Sequence, residues 1–348
     1  MNLYLVESPL QLLSAIELQS LTPSKKSTVV IRYEVRDGNR NRDQIRELLK
    51  NMRFDRVVEL GKNLNSISQR IDLLNFMVRL SGVRDEIQQV AIGDWRSTWM
   101  HRCIEIVGAK EPILLDDGII VVHIMNNFLC KGIHNKLKIS STPSTRFKNI
   151  LYYALGSNGN AEYKFSLFTS FYNQSVVNNI NILENRYEHT VSRNASRESC
   201  VGYFGTKYSE GKYLTFEQEI TFLSNAFKFI EREYDGLPIV YYAHRGDAHK
   251  KLEYISSMGI EVRVPTLPLE AHFMRHESPP PSVIVGGFST AVINVSKIYG
   301  IEEALFMLLP IGLISKNKAA HVIEIYNFYK EMGYRIVDPS FGNRRPQA

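Results

Sequence analysis

Apolar and β-branched residues come in short runs through the first third of the chain: Leu3 to Val6, Thr28 to Tyr33, Arg56 to Leu60, Gln89 to Ile92 and Pro112 to Leu115. Between them the apolar spacing lengthens to that of a helix, as in Gln44 to Asn51 and Ile67 to Leu80. The pattern predicts alternating strands and helices. Strands that are apolar on both faces belong in a parallel sheet covered by helices, and such sheets hold their ligands at the carboxyl ends of the strands. Loops that follow strands are therefore the first places to look for chemistry.

From about Gly118 to Arg197 the pattern loosens into turn-rich stretches such as TPSTRFKN, GSNGN and VSRNASRES. Within it His134, Lys136, Lys138, Arg146 and Lys148 form a basic stretch. A solvated linker and a surface for an acidic oligosaccharide or an anionic membrane are the two readings of that stretch. A second alternation starts at Ser199, with CVGYF, PIVYYA, IEVRV and SVIVGG as strands and Phe216 to Glu233, His249 to Met258 and Thr290 to Tyr299 as helices. Two α/β domains around a cleft are expected, residues 1–195 and 196–348. Whether the last helix packs back on the first domain is left open.

Length agrees with this division, since 348 residues at roughly 150 per domain make two. The longest apolar run, Ala304 to Ile314, is broken by Pro310 and falls short of the ~20 residues that span a bilayer. The start lacks a basic region and places Glu7 where a signal peptide would be apolar, so a cytoplasmic chain is expected. Cys103, Cys130 and Cys200 have neither disulfide nor zinc-knuckle spacing and read as buried thiols. A formal net charge of +6 favours anionic partners without choosing among phosphates, acidic glycans and lipid headgroups. Tyrosine and phenylalanine are spread along the chain instead of forming a base-stacking platform, which argues against nucleic acid.

Four loops after strands carry candidate chemistry. Asp116 and Asp117, followed by Gly118, end one strand, where a carboxylate made more basic by burial and by its neighbour can take a proton from a hydroxyl. An Asp-Gly turn with a helix cap is the equal alternative. His244 and Arg245, in YYAHRGD, follow another strand and suit a phosphate. Gly286-Gly287-Phe288-Ser289-Thr290 opens a helix, whose N–H groups and hydroxyls can hold an anion. Gly205-Thr206-Lys207 brings a mobile cation to a turn. His272 and His276 lack the glutamate of a zinc-protease motif, so no metal site is expected. Asn173, Asn194 and Asn294 head N-x-S triplets that read as chance matches.

Taken together, the LDDG element, the YYAHRGD element, Leu267-Pro268-Leu269-Glu270 and GGFSTAVIN resemble, in order and spacing, the bacterial sialyltransferase and polysialyltransferase families. The opening Glu7-Ser8-Pro9-Leu10-Gln11 looks like the strand-turn of that group, so the resemblance runs from residue 1 to about 300. It implies a GT-B fold of two Rossmann-like domains, acceptor groups mainly on the first and a CMP-sugar donor mainly on the second. It also implies inverting transfer without metal or cofactor, from CMP-sialic acid or a related CMP-sugar to an oligosaccharide or glycolipid acceptor, for bacterial surface glycans.

Carried over by position, Asp116 matches the general base, with Asp117 beside it, and His244 the group that hydrogen-bonds or protonates the departing phosphate. Glu270 matches the ribose ligand, and Ser289 and Thr290 the phosphate ligands; Gly205, Lys207 and Arg245 join the donor side from the local reading of their turns. Where the family has His-Pro, this chain has His244-Arg245, which replaces a rigid turn by a cation able to meet a donor carboxylate or phosphate. Other CMP-activated donors, such as Kdo, legionaminic or pseudaminic acid, stay open. So do a non-catalytic nucleotide- or glycan-binding role and a peripheral contact with the inner membrane.

Overall fold

The structure, a computed structural model, describes residues 1–22, 26–33, 38–50, 54–61, 66–139, 150–172, 179–189, 196–273 and 278–340. The chain divides into two compact units, Met1–Thr190 and Val191–Ala348. Arg146, Lys148, Asn173, Asn194 and His276 lie outside the described residues, as does the expected boundary between residues 195 and 196 at its first residue.

The first unit is built on a seven-stranded sheet in the order β3-β2-β1-β4-β5-β6-β7, parallel throughout. In chain order its strands are β1 (Asn2–Val6), β2 (Ser27–Arg32), β3 (Arg56–Leu60), β4 (Gln89–Ile92), β5 (Ile113–Leu115), β6 (Ser166–Thr169) and β7 (Ile182–Glu184). The connecting helices are α1 (Pro9–Leu21), α2 (Gly38–Leu49), α3 (Ser66–Gly82), α4 (Thr98–Val107), α5 (Ile120–Asn127) and α6 (Ile150–Ala154). Tyr4, Leu5 and Val6 and the facing Val29, Val30 and Ile31 have no exposed surface, as helix-covered strands require.

Two strands emerge from the stretch that reads as loose in sequence. β6 and β7 are short and carry Ser166, Thr169 and Glu184, so the apolar signal that marks the other strands is diluted.

The second unit repeats the plan with six parallel strands in the order β10-β9-β8-β11-β12-β13. They are β8 (Glu198–Phe204), β9 (Ile239–Tyr242), β10 (Glu261–Arg263), β11 (Pro281–Gly286), β12 (Ala304–Met307) and β13 (Arg335–Val337). Its helices are α7 (Phe216–Glu233), α8 (His249–Ser257), α9 (Leu269–His272), α10 (Thr290–Tyr299) and α11 (Lys316–Glu331). α7 and α10 have the bounds that the sequence pattern predicts. α7 starts where it does because Thr215 and Gln218 cap each other's backbone, a reciprocal arrangement that satisfies two orphan donors.

Each sheet reverses its winding once. β1 lies between β2 and β4, and β8 between β9 and β11, so the crevices of a doubly wound sheet open at the carboxyl ends of β1/β4 and of β8/β11. Cys103 and Cys200 are buried as expected, but Cys130 is exposed, because it sits in a surface turn after α5 and not on a core face. Asn294 is fully buried in α10, which removes it as an acceptor for a bulky surface modification. Among the described residues, no helix is long and apolar enough to cross a membrane.

Candidate active site

At the β1/β4 crevice the strands leave in step, since Leu5 pairs with Ile92 and Ile92 with Leu114. Glu7-Ser8, Gly93-Asp94 and Asp116-Asp117 are therefore the first residues beyond three neighbouring strands. Ser8 caps α1 by accepting the Gln11 N–H at 3.2 Å, and its hydroxyl donates to Asp117 Oδ1 at 3.3 Å. Gly118, at φ +69°, makes the turn that lets Asp117 point back over the sheet; this is backbone a side chain would strain.

The two adjacent carboxylates have different surroundings. Asp116 has no exposed surface, and its Oδ2 accepts the Ser170 N–H at 2.7 Å while its own N–H donates to Ser14 at 3.3 Å. It ties the end of β5 to the turn after β6. Asp117 keeps 15% of its side chain exposed and lies 3.7 Å from Arg96, whose guanidinium also clasps Asp94 at 2.9 Å.

Burial, and after it the Asp94 carboxylate, push Asp117 up to about 7, against hydrogen bonds from Gln11 and Ser8 and the charge of Arg96. A carboxyl poised near neutrality and open to one side is what proton abstraction from a hydroxyl needs. Behind it Glu7 accepts the Trp99 indole N–H at 2.7 Å and pairs with Arg32 at 3.2 Å. The Gln11 amide oxygen accepts the Glu7 N–H at 2.7 Å. These bonds fix the floor of the crevice.

At the β8/β11 crevice Phe204 pairs with both Tyr242 and Gly286, so the turns beginning at Gly205, Ala243 and Gly287 also leave side by side. His244 is half-buried, and its Nδ1 accepts the Gly246 N–H at 2.9 Å. A backbone N–H can only donate, so the ring proton sits on Nε2 and is available to an acceptor. Burial first, then the charges of Arg245, Lys207 and Lys251, push the imidazole down to about 3. A Cβ on Gly246 would lie 3.3 Å from both the His244 ring and the Lys207 stem, so these two side chains border the same turn.

Lys207 and Arg245 are exposed. Ser289 is the N-cap residue of α10, yet its side chain makes no cap bond, which leaves the hydroxyl and the N–H groups of Thr290 and its neighbours to serve an anion at the positive end of the helix. Cations, a neutral imidazole donor and a helix N-terminus thus stand on turns that leave neighbouring strands, donors of the kind a phosphate accepts from. Glu270, on α9, is buried; its Oε1 accepts from Asn294 at 2.9 Å, and burial raises its carboxyl above the ordinary range.

Gly205 has a packing duty as well. A Cβ there would lie 2.5 Å from the Tyr241 hydroxyl and 2.9 Å from Asp247 Oδ2. Gly205→Ala is expected to lower stability by about 1–3 kcal/mol through overpacking, read as a shift in the urea midpoint at unchanged slope.

The fold thus brings Asp117 together with Glu7, Asp94 and Arg96 in the first unit, and Lys207 together with His244 and Arg245 in the second. Asp94 and Arg96 are not among the candidates the sequence singles out, although Gly93-Asp94 follows β4 as directly as Asp116 follows β5. Lys251, Glu210 and Glu219 are likewise absent from the residues the sequence singles out.

No protein-family model and no curated protein matches the chain. Solved structures do. The spinosyn forosaminyltransferase SpnP matches with a TM-score of 0.50 at 12% identity, over 98% of this chain and 86% of that one. TcCGT1 in complex with UDP matches with a TM-score of 0.50 at 11% identity, over 97% and 86%. A 2,6-sialyltransferase from Photobacterium sp. JT-ISH-224, in complex with CMP and lactose, matches with a TM-score of 0.49 at 11% identity, over 96% and 78%. The fold is that of GT-B glycosyltransferases: two parallel-sheet α/β domains, of seven and six strands.

Proposed function

We propose that the chain is an inverting glycosyltransferase that moves a nonulosonic acid, with sialic acid as the leading case, from its CMP-linked form to a glycan hydroxyl. The observation that carries this reading is the division of charge between the two crevices. The first offers a carboxyl poised near 7, and the second gathers two cations, a neutral imidazole donor and a helix N-terminus. The resemblance of LDDG, YYAHRGD and GGFSTAVIN to bacterial sialyltransferases narrows the nucleotide to CMP.

In this reading Asp117, more than Asp116, is the base, because Asp116 is sealed from solvent while Asp117 keeps exposed surface and has its basicity raised by burial and by Asp94. It takes the proton of the acceptor hydroxyl as that oxygen forms its bond to the anomeric carbon. The bond from the anomeric carbon to the CMP oxygen breaks in the same step, so configuration inverts. The charge that collects on CMP is met by Lys207, Arg245, the Nε2–H of His244 and the start of α10 with Ser289 and Thr290, groups that supply oxyanion stabilisation from the protein itself.

The test is a thermal-shift comparison of CMP, UDP and GDP, followed by mass spectrometry of products from CMP-sugars offered with lactose-type and oligosialic acceptors. A ligand at about 100 times its dissociation constant adds about 2.7 kcal/mol to stability. CMP is expected to raise the midpoint, with UDP and GDP inert. A response to UDP or GDP alone overturns the CMP assignment, and CMP binding without any transfer product overturns the enzyme.

A further inference from the structure

Directly under the phosphate-facing edge of the second unit, Lys251 is completely buried and meets three carboxylates, Asp247 at 2.7 Å, Glu219 at 2.8 Å and Glu210 at 3.1 Å. Proton transfer and phosphate binding, as set out above, use none of these four groups. Taking a lysine and its partners out of water costs desolvation that the pairing offsets only in part, so such a network is weak evidence for stability as its purpose.

What the network holds is visible in its outer bonds. Asp247 Oδ2 accepts the His244 N–H at 2.9 Å and the Tyr241 hydroxyl at 2.8 Å. Glu210 Oε1 accepts the Ala248 N–H at 2.8 Å. Glu219 Oε2 accepts the Ser209 N–H at 2.9 Å and the Ser209 hydroxyl. Lys251 itself donates to the Thr206 carbonyl at 3.4 Å. One ammonium therefore fastens the turn that carries Lys207, residues 206–210, to the turn that carries His244, residues 244–248.

We infer that Lys251 is a positioning residue: it sets the spacing of Lys207 and His244 through Asp247, Glu210 and the Thr206 carbonyl, and so presets the cradle for a nucleotide phosphate. The ligand class rests on the donor reading above; the link from Lys251 to His244 does not. With Asp247 no longer held, the 244–247 turn relaxes, the Gly246 N–H leaves Nδ1, and the imidazole loses the bond that fixes its proton on Nε2.

The experiment uses the full chain and Lys251→Met, which keeps length and removes charge. Ring-nitrogen NMR of His244 without ligand is expected to show one tautomer, Nε2–H, in the parent and a mixture of both in the variant. Loss of charge alone would move the titration of His244 but not its tautomer. CMP affinity, measured by calorimetry, is expected to fall about tenfold.

A folded variant with the parent tautomer overturns the inference. Should Lys251→Met not fold, Glu210→Gln, which alters a partly exposed member of the same network, is read the same way, and an unchanged tautomer there overturns it too. If the parent binds none of CMP, UDP and GDP, the donor reading fails, while the His244 spectrum still decides the role of Lys251.

Discussion

Asp117→Asn is expected to lower kcat by ~10² to 10⁴, the usual contribution of a general base, with KM for donor and acceptor nearly unchanged. The substitution keeps the shape of the side chain, and its amide oxygen can still accept from Ser8, so the loss falls on proton transfer alone. Asp116→Ala is expected to behave differently. It leaves the buried Ser170 N–H without its acceptor, so the variant should lose stability first and turnover second. Initial rates beside a denaturant titration separate the two. Near-normal turnover in Asp117→Asn would remove the base from the mechanism.

The same carboxyl sets a pH dependence whose sign is fixed. Raised from 3.8 to about 7 in the folded chain, it acts as a base only when ionised, so kcat/KM should fall as pH drops below about 7. Its effect on stability runs the other way. Between pH 4 and 7 the folded chain holds a proton that the unfolded chain has released, so this group's contribution is fully present below pH 4 and is lost as pH rises through 7. Asp117→Asn should therefore be more stable than the parent at pH 8 and level with it near pH 4. A crevice that costs stability in order to keep a carboxyl basic is the usual bargain at a site of proton transfer.

Strand-and-helix alternation was legible in strands apolar on both faces such as Leu3 to Val6 or Cys200 to Phe204, but not in β12, whose apolar residues run on past its end toward Ile314, nor in the short, polar-edged β13. It failed for β6 and β7, where Ser166, Thr169 and Glu184 sit in strands nearer the sheet edge and carry less apolar signal. The rule that ligands meet carboxyl ends of strands picked out Asp117, His244 and Ser289 from one sequence. It could not rank Asp116 against Asp117, because the turn at Gly118 decides which of them faces outward and spacing does not contain that turn. Nor could it find Lys251. A lysine in the first turn of a helix, four residues after an aspartate, reads as a surface pair, and only folding brings Glu210, from the turn after β8, and Glu219, from α7, to the same ammonium.

His244→Ala is expected to reduce kcat/KM by about 10² to 10³, as removal of one oxyanion donor does, while His244→Gln should recover part of the loss. What the imidazole gives to the phosphate decides the ranking. In the free chain it is pushed down to about 3 by burial and by Arg245, Lys207 and Lys251, so at neutral pH it carries no spare proton, and its Nδ1 is committed to the Gly246 N–H. What remains is one N–H donor at Nε2, beside cations that supply the charge. A glutamine amide can present such a donor but cannot act as an acid. If His244 worked by protonating the leaving phosphate, glutamine would be as inactive as alanine, and the rate would fall on the alkaline side as the histidine lost its proton. Hydrogen bonding predicts instead a flat profile from pH 7.5 to 9 and a ranking of parent, then glutamine, then alanine. Equal loss in the two variants would return proton donation to His244.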